Sequence, residues 1–257
     1  MLGSAKLGNL SQKNASKLLS SLSDNLVDQI DTAPSYPRSE YRIGVYKRCN
    51  PNSELKIFTK FGRENKTLTR ADLKNSLTLS LKRLRVNEIY GLSVHNRHES
   101  EVSEDIFEEV LFLKASGMIS KFGWCGDWEK IPHRTIEHYD FIMLPINLFV
   151  PNVTKKLNKI NLPVIAMNPF ANFFWNYKEW GRFEKFYNER LLKKFNQFPY
   201  KYLGQVQSEG KSLKDLLDFI LQQEGLDSIC FGSTSQHHIK EICTILDQYQ
   251  KQGDLLN

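Results

Sequence analysis

The sequence predicts an α/β fold, a single (β/α)8 or TIM barrel, and three observations support this prediction. The chain has 257 residues, close to the roughly 250 that such a barrel needs. Short apolar segments alternate with amphipathic stretches, which indicates parallel strands joined by crossover helices. The apolar segments number eight, as in this barrel. No linker, repeat or low-complexity tract divides the sequence, so residues 1–257 are expected to form one domain.

The predicted strands are short and mainly apolar. In chain order they are Leu2–Lys6, Leu26–Asp31, Leu55–Thr59, Glu88–Val94, Ser120–Trp124, Phe141–Leu144, Val164–Met167 and Ser228–Gly232. Because parallel strands end at the same mouth of a barrel, and barrel enzymes carry their catalytic groups there, the residues that follow each strand are the candidates for chemistry.

Apolar residues recur at intervals of three and four along three segments, which predicts amphipathic helices. These are Arg70–Leu84, Asp105–Ala115 and a last helix that begins near Ser235. Their apolar faces are predicted to contain Leu73, Leu77, Leu81 and Leu84, then Ile106, Val110, Leu111 and Leu113, then Ile239, Ile242, Leu246 and Tyr249. The long aromatic stretch Pro169–Lys201 is interpreted either as a packed short helix or as a wall of a substrate pocket.

Composition excludes several classes of protein. With 40% hydrophobic and 12% aromatic residues, the chain is not an unfolded one. The net charge of +6 is spread along the chain, which fits a bound dinucleotide or merely a solvated face, and no nucleic-acid partner is expected. No apolar run reaches the roughly 18 residues of a membrane helix, so no membrane partner is expected.

The four cysteines are far apart and include no Cys-x-x-Cys pair. A disulfide framework or a zinc site is therefore not expected, and a reducing cytoplasm is the predicted location. We expect a monomer or a weak homo-oligomer.

Four residues of different chemistry follow or end three consecutive strands. Asp31 and Tyr36 follow strand two, Lys60 follows strand three and His95 follows strand four. Asp31 would hold Lys60 charged and in place, and Lys60 would lower the pKa of the Tyr36 phenol. Tyr36 would then act as general acid on a carbonyl oriented by His95. Singly, each residue also fits an ordinary turn, rim or core role, but the set is hard to reach by chance.

The same residues carry a resemblance to a known family. Asp31-Thr32-Ala33, Tyr36 and Ser39-Glu40 resemble the aldo-keto reductase signature, Thr59-Lys60 its third strand and Val94-His95-Asn96 its fourth. Arg70–Leu84 is similar to its third helix. Asp140–Phe149 is similar to the sixth-strand segment of members from sugar and surface-polysaccharide pathways. The resemblance extends from Leu2 to about Glu241.

The resemblance implies an NAD(P)H-dependent oxidoreductase that interconverts an aldehyde or ketone and its alcohol. It makes Tyr36 the proton donor, Lys60 and Asp31 its tuning pair, and His95 the residue that orients the carbonyl. It implies a small-molecule carbonyl substrate, with sugars and sugar nucleotides as candidates. The cofactor is NADP or NAD, with a slight preference for NADP from the family alone.

On the nicotinamide side the sequence departs from the family pattern. Cys125 and Gly126 stand where the family has serine and often asparagine, Met143 where it has glutamine, and Met167 where many members stack a tyrosine. Each lost hydrogen bond weakens binding by about 1 kcal/mol, although sulfur can pack against a ring. Pro37 replaces the usual glycine after the tyrosine and restricts the backbone there.

A phosphate site is predicted between strand eight and the last helix. The residues are Gly232, Ser233, Thr234 and Ser235, with Lys240 one turn further on. Small residues at a helix amino end suit a phosphate, and an ordinary helix cap at Ser235 is the other interpretation. The adjacent His237 and His238 have no third ligand at a suitable spacing, so no metal site is expected.

Two other functions are compatible with the barrel. Loss of productive nicotinamide binding would leave a non-catalytic barrel that acts as a binding or scaffold protein. Alternatively, Lys60 could form a Schiff base in a lyase, since barrels host many chemistries.

Overall fold

The computed structural model describes residues 1–25, 27–63, 67–148, 150, 152–170 and 213–254, with side chains as far as Tyr249. Its strands form a closed parallel barrel in the order β1 to β8, and β1 closes the barrel against β8. The predicted (β/α)8 fold is confirmed. The strands are β1 Leu2–Gly3, β2 Gln29–Asp31, β3 Lys56–Phe61, β4 Ile89–His95, β5 Ile119–Cys125, β6 Phe141–Pro145, β7 Val164–Met167 and β8 Ser228–Gly232.

All eight predicted strands are present in order, and the bounds of β7 and β8 agree with the prediction. The first two strands are shorter than predicted. Lys6 precedes the 3-10 helix Leu7–Asn9 instead of ending β1, and the 3-10 helix Ser23–Asn25 delays the start of β2. Conversely, Lys60 and His95 lie within β3 and β4 rather than after them, so their direction is fixed by the strand pleat.

The helices of the described residues are α1 Gln12–Ser20, α2 Ser39–Cys49, α3 Arg70–Leu84, α4 Asp105–Ala115, α5 Val153–Leu157, α6 Leu213–Leu221 and α7 Gln236–Asp254. The predicted bounds of α3 and α4 are confirmed, and a capping box between Thr69 and Asp72 starts α3. Leu111 was wrongly assigned to the buried face of α4, because its side chain is 68% exposed. None of these helices is long and apolar enough to cross a membrane.

The barrel interior below the mouth is filled by aromatic rings. Phe58 of β3 and Phe141 of β6 meet edge to face, with ring centroids 5.4 Å apart. Gly91 and Gly123 make room for them, because a Cβ there would lie 2.2 Å and 2.3 Å from these rings. These rings therefore occupy the interior below the mouth.

Of the aromatic stretch predicted at Pro169–Lys201, only Pro169 and Phe170 lie within the described residues. The two interpretations of that stretch, a packed short helix and a wall of a substrate pocket, therefore lie outside the described residues.

Candidate active site

Three adjacent strands carry the predicted acid, cation and imidazole on the inner face of the barrel. Asp31 pairs in register with Phe58, an interior residue, and Lys60 lies two residues beyond Phe58 on β3. Lys60 pairs with Ser93, which is two residues before His95 on β4. Since side chains alternate along a strand and register partners share a face, Asp31, Lys60 and His95 all point inward.

Lys60 is buried and donates two hydrogen bonds. Its Nζ donates to Asp31 Oδ1 and, at 2.9 Å, to the carbonyl oxygen of Thr32. Lys60 is 1% exposed and Asp31 4%. Burial is the largest single effect and lowers the pKa of Lys60, but Asp31, Tyr36 and Cys125 together outweigh it and raise that pKa above its ordinary value. Burial raises the pKa of Asp31, while the charge and hydrogen bond of Lys60 oppose that rise. The direct contact of the two groups favours the ionised pair, with one charge of each sign held inside the barrel.

Tyr36 lies beside this pair. Lys60 Nζ is 5.2 Å from the centre of the Tyr36 ring, and Tyr36 is half-buried. The lysine lowers the pKa of the phenol, as predicted, but burial is the larger effect and the pKa is raised above its ordinary value. The expected net lowering was thus wrong for the free protein, because burial disfavours the phenolate. The phenol is protonated at rest.

His95 is half-buried at the end of β4 and is neutral at physiological pH. Burial, followed by the positive charges of Lys60, Arg63 and Arg97, lowers its pKa to about 3. A neutral imidazole carries one N–H donor and one acceptor nitrogen, so His95 can donate one hydrogen bond to a carbonyl oxygen.

A buried carboxylate behind the barrel wall fixes the relative positions of these elements. Glu40, in the first turn of α2, accepts a 2.9 Å hydrogen bond from Thr59 Oγ1 and pairs with Arg83 Nη1 of α3 at 3.2 Å. Sequence analysis matched Glu40 to a signature but assigned it no role. Its position one turn after Tyr36, opposite the residue before Lys60, shows that it holds β3 against α2.

Ser39 makes a second link that sequence analysis missed. Ser39 Oγ accepts from Thr32 Oγ1 at 3.0 Å and donates to the backbone oxygen of Ser4 at 3.1 Å. Ser39 and Thr32 are completely buried. The segment from Asp31 to α2 is therefore tied to β1 as well as to β3.

Pro37 directly follows Tyr36 and restricts the backbone of the turn that leads into α2. Arg38, which follows it, adopts a left-handed backbone with φ of 57° and precedes α2. Gly8 lies against this turn, since a Cβ on Gly8 would be 1.6 Å from the Pro37 carbonyl oxygen. Only glycine fits at position 8 without moving Pro37.

The three residues predicted on the nicotinamide side line the inner wall next to His95. Cys125 pairs in register with His95 on one side and Met143 on the other. Cys125 and Met143 are buried, and Cys125 Sγ lies 3.7 Å from Met167 Sδ. Burial raises the pKa of Cys125 to about 12, so the wall is lined by a neutral thiol and two thioethers.

Comparison with known proteins decides the family. The Aldo/keto reductase family model matches residues 1–254. The chain belongs to the aldo-keto reductase family. A comparison with curated protein sequences finds no match.

Solved aldo-keto reductases share the fold. One from Bacillus halodurans, in its holo form, has 15% identity and a TM-score of 0.74, with 95% of this chain and 85% of that chain covered. The glycerol dehydrogenase of Gluconobacter oxydans has 19% identity and a TM-score of 0.70, with 98% and 89% covered. At these identities the likeness shows the fold alone.

Aldo-keto reductases generally use NAD(P)H, and the loop between β8 and α7 fits the phosphate end of that cofactor. Gly232 and Thr234 are exposed, and a Cβ on Gly232 would meet only the Gly3 carbonyl oxygen, at 3.7 Å. Ser235 precedes α7, and its Oγ accepts from the His238 backbone at 3.4 Å. The helix cap is therefore present, and the exposed, small-residue loop at the helix amino end leaves room for a phosphate.

The other residues predicted to bind phosphate lie in or after the same loop. Ser233 Oγ accepts from the Ser235 backbone at 3.0 Å, which shapes the loop, and Lys240 is exposed in the second turn of α7. His237 and His238 have ring centres 6.0 Å apart. Among the described residues, no three His, Cys, Asp or Glu side chains are grouped to hold a metal ion.

Proposed function

We propose that this aldo-keto reductase reduces an aldehyde or ketone with NAD(P)H, and that Tyr36 is its proton donor. The observation that carries the proposal is the contact set of Lys60, whose ammonium lies against both the Asp31 carboxylate and the Tyr36 ring at the barrel mouth. Sugar and sugar-nucleotide derivatives are the candidate substrates, on the sixth-strand resemblance alone.

The proposed mechanism assigns one task to each residue. The chemistry that a reduced nicotinamide would supply, when bound, is a hydride for the carbonyl carbon. The neutral His95 donates a hydrogen bond to the carbonyl oxygen and orients it. Tyr36 gives its phenolic proton to that oxygen, and the charge left on the phenolate is stabilised by Lys60. Asp31 keeps Lys60 protonated and fixed in position.

The raised pKa of Tyr36 is compatible with this task. A phenol that is protonated throughout the physiological range is always ready to donate, and the carbonyl oxygen becomes strongly basic only as hydride arrives. Lys60 then stabilises the phenolate as it forms. An interaction that strengthens in the transition state lowers the barrier of the reaction.

The same residues would hold the cofactor as the sequence predicted. The loop Gly232–Ser235 and Lys240 would bind phosphate, while Cys125, Met143 and Met167 would pack against the nicotinamide. The family provides the slight preference for NADP over NAD. Sulfur atoms supply contact area and polarisability in place of polar hydrogen bonds.

Replacement of Tyr36 by phenylalanine tests the proposal. We expect Tyr36→Phe to lower kcat by about a thousandfold and to leave NADPH and NADH affinity within about twofold, measured by nicotinamide fluorescence. Tyr41→Phe is the matched control, because Tyr41 lies on α2 with its side chain exposed. Full activity in Tyr36→Phe would refute the mechanism.

A non-catalytic barrel is the second candidate, favoured by the sulfur-lined wall at Cys125, Met143 and Met167. It predicts that neither NADPH nor NADH binds at millimolar concentration, whereas micromolar binding supports the reductase. Borohydride trapping of a carbonyl compound on Lys60 would instead indicate a lyase, although the ion pair with Asp31 keeps that amine protonated.

We further propose that residues 1–257 act as one domain, as a monomer or weak homo-oligomer, in the cytoplasm. Four free thiols support a reducing location. Size-exclusion chromatography with light scattering tests the oligomeric state.

A further inference from the structure

The backbone that follows β3 is held in a defined position at the barrel mouth. Arg97, after β4, donates to the Gly62 carbonyl oxygen at 2.6 Å and to the Arg63 carbonyl oxygen at 2.9 Å. Arg97 also pairs with Glu101 at 3.4 Å, and only 12% of its side chain is exposed. Gly62 turns the chain with a φ of 86°, a conformation that suits glycine. The backbone of Arg63 is thus held in place by Arg97.

The Arg63 side chain turns toward the catalytic residues. Its Nη1 donates to Ser35 Oγ at 3.3 Å, and Ser35 directly precedes Tyr36. Its positive charge also contributes to the lowered pKa of His95. Arg63 therefore lies at the rim where Tyr36 and His95 face the same space, with its guanidinium exposed to solvent.

Two acidic groups near this rim are bound by other cations. Asp31 is bound by Lys60 and Glu101 by Arg97. Asp127 follows β5 and lies beside the end of β4, because its backbone N–H donates to Asn96 Oδ1 at 3.2 Å. Within the described part of the chain, no carboxylate forms an ion pair with Arg63. A guanidinium anchored at one nitrogen keeps further N–H donors available for an anion.

We infer that Arg63 binds an anionic group of the substrate, a phosphate or a carboxylate, and so selects carbonyl compounds that carry one. The inference rests on the proposed reductase function and narrows its substrate class. The planar guanidinium matches the oxygens of either anion, and Ser35 Oγ can add one hydrogen bond. Binding at the rim places the carbonyl of a short substrate toward Tyr36 and His95.

Matched substrate pairs test the inference. D-glyceraldehyde 3-phosphate is compared with D-glyceraldehyde, and succinic semialdehyde with butanal, in the wild type and in Arg63→Gln. We expect kcat/KM of the variant to be about tenfold lower for the charged member of at least one pair, because the variant loses one charge-assisted hydrogen bond. The uncharged members should stay within twofold. The pair with the larger loss identifies phosphate or carboxylate as the preferred group.

Controls separate recognition from structural support. Arg48→Gln removes an exposed arginine from the end of α2 and should not change kcat/KM for either substrate pair. Arg63→Lys should retain part of the preference for charged substrates, because it keeps the positive charge. Equal losses for charged and uncharged substrates in Arg63→Gln would assign Arg63 a structural role and overturn the inference. Absence of any preference in the wild type would overturn it as well.

A binding measurement distinguishes failure of the inference from failure of the proposed function. Glycerol 3-phosphate should raise the Tm of the cofactor-free wild type more than glycerol does, and Arg63→Gln should remove the difference. If D-glyceraldehyde is reduced but glycerol 3-phosphate does not bind and Arg63→Gln leaves the succinic semialdehyde preference unchanged, the anion site is refuted and the reductase stands. If no aldehyde is reduced but Arg63-dependent binding is seen, the anion site stands and the proposed function fails.

Discussion

Thr59 Oγ1 and Glu40 Oε1 are joined by a 2.9 Å hydrogen bond on the outer side of β3. Thr59 precedes Lys60, and Glu40 follows Tyr36 by one helical turn. Because strand side chains alternate, Thr59 faces the helices while Lys60 faces the mouth. One buried carboxylate outside the barrel therefore sets the spacing of two residues inside it.

Removal of this carboxylate should destabilise the protein. Glu40→Ala removes the acceptor of Thr59 Oγ1 and the carboxylate that pairs with Arg83, and we expect the free energy of unfolding to fall by about 3 kcal/mol. Glu40→Gln keeps the side-chain shape and one hydrogen bond, so we expect the free energy of unfolding to fall by only about 1 to 2 kcal/mol. The Arg83 side chain is 28% exposed, so water can solvate it in the variants, which limits the loss of stability.

Urea unfolding followed by circular dichroism measures both changes. Glu54→Gln, at an exposed position before β3, is the control and should shift the free energy by less than about 0.5 kcal/mol. If Glu40→Ala behaved like this control, Glu40 would have no anchoring role.

The inward direction of the catalytic candidates could be predicted from the sequence, whereas their support could not. Asp31, Lys60 and His95 lie at the carboxyl ends of three consecutive strands, and strand parity brings them onto one face once β3 and β4 extend far enough to include them. The links from Glu40 to Arg83 and from Arg63 to Ser35 join residues 43 and 28 positions apart. No local pattern encodes such pairs.

The pKa of Tyr36 shows the same limit of sequence analysis. The sign of the Lys60 effect follows from charge alone and was predicted. The larger effect of burial depends on how the β2–α2 connection packs over the phenol, which strand and helix patterns do not specify. The predicted net lowering of the Tyr36 pKa was therefore wrong.

The neutral state of His95 predicts a pH dependence of stability. Its pKa falls from 6.5 to about 3 on folding, so below pH 6.5 the unfolded chain takes up a proton that the folded chain does not. Stability is thus lost as pH falls through this window. Between pH 7.5 and pH 5 the expected contribution is about 2 kcal/mol.

This contribution should be absent in His95→Gln. Urea unfolding at a series of pH values compares the slope of stability against pH in the variant and the wild type. His133→Gln, at an exposed position, serves as the control and should retain the wild-type slope. A variant slope equal to that of the wild type would mean that His95 titrates normally in the folded protein.

The sulfur-lined wall predicts the response to polar substitution. In the proposed reductase this wall is adapted to the cofactor, so Cys125→Ser with Met143→Gln should change NADPH and NADH affinity by less than about threefold. The buried glutamine amide has only sulfur and apolar neighbours in this cluster, so the free energy of unfolding should fall by about 1 to 3 kcal/mol.

Nicotinamide fluorescence and urea unfolding give the two readouts. Cys230→Ser, on β8, controls for the loss of an interior thiol elsewhere in the same cluster. A gain in cofactor affinity of tenfold or more in the double variant would instead indicate a decayed nicotinamide site and support the non-catalytic barrel.

Gly8 links the turn after β1 to the position of Tyr36. A methyl group at Gly8 would lie 1.6 Å from the Pro37 carbonyl oxygen and 2.8 Å from its carbon. These are backbone atoms, so Gly8→Ala must displace Pro37 and, with it, the adjacent Tyr36. We expect a loss of about 2 to 3 kcal/mol in stability and a lower kcat, with cofactor affinity within twofold.

Gly117→Ala is the matched control for a glycine-to-alanine change. Gly117 has a φ of 72° but no atom within 4 Å of a Cβ, so the substitution should cost about 1 kcal/mol of backbone strain and leave kcat unchanged. Thermal unfolding and steady-state kinetics on both variants compare the two effects. If Gly8→Ala lost stability but kept full kcat, the β1 turn would support the fold without fixing the position of Tyr36.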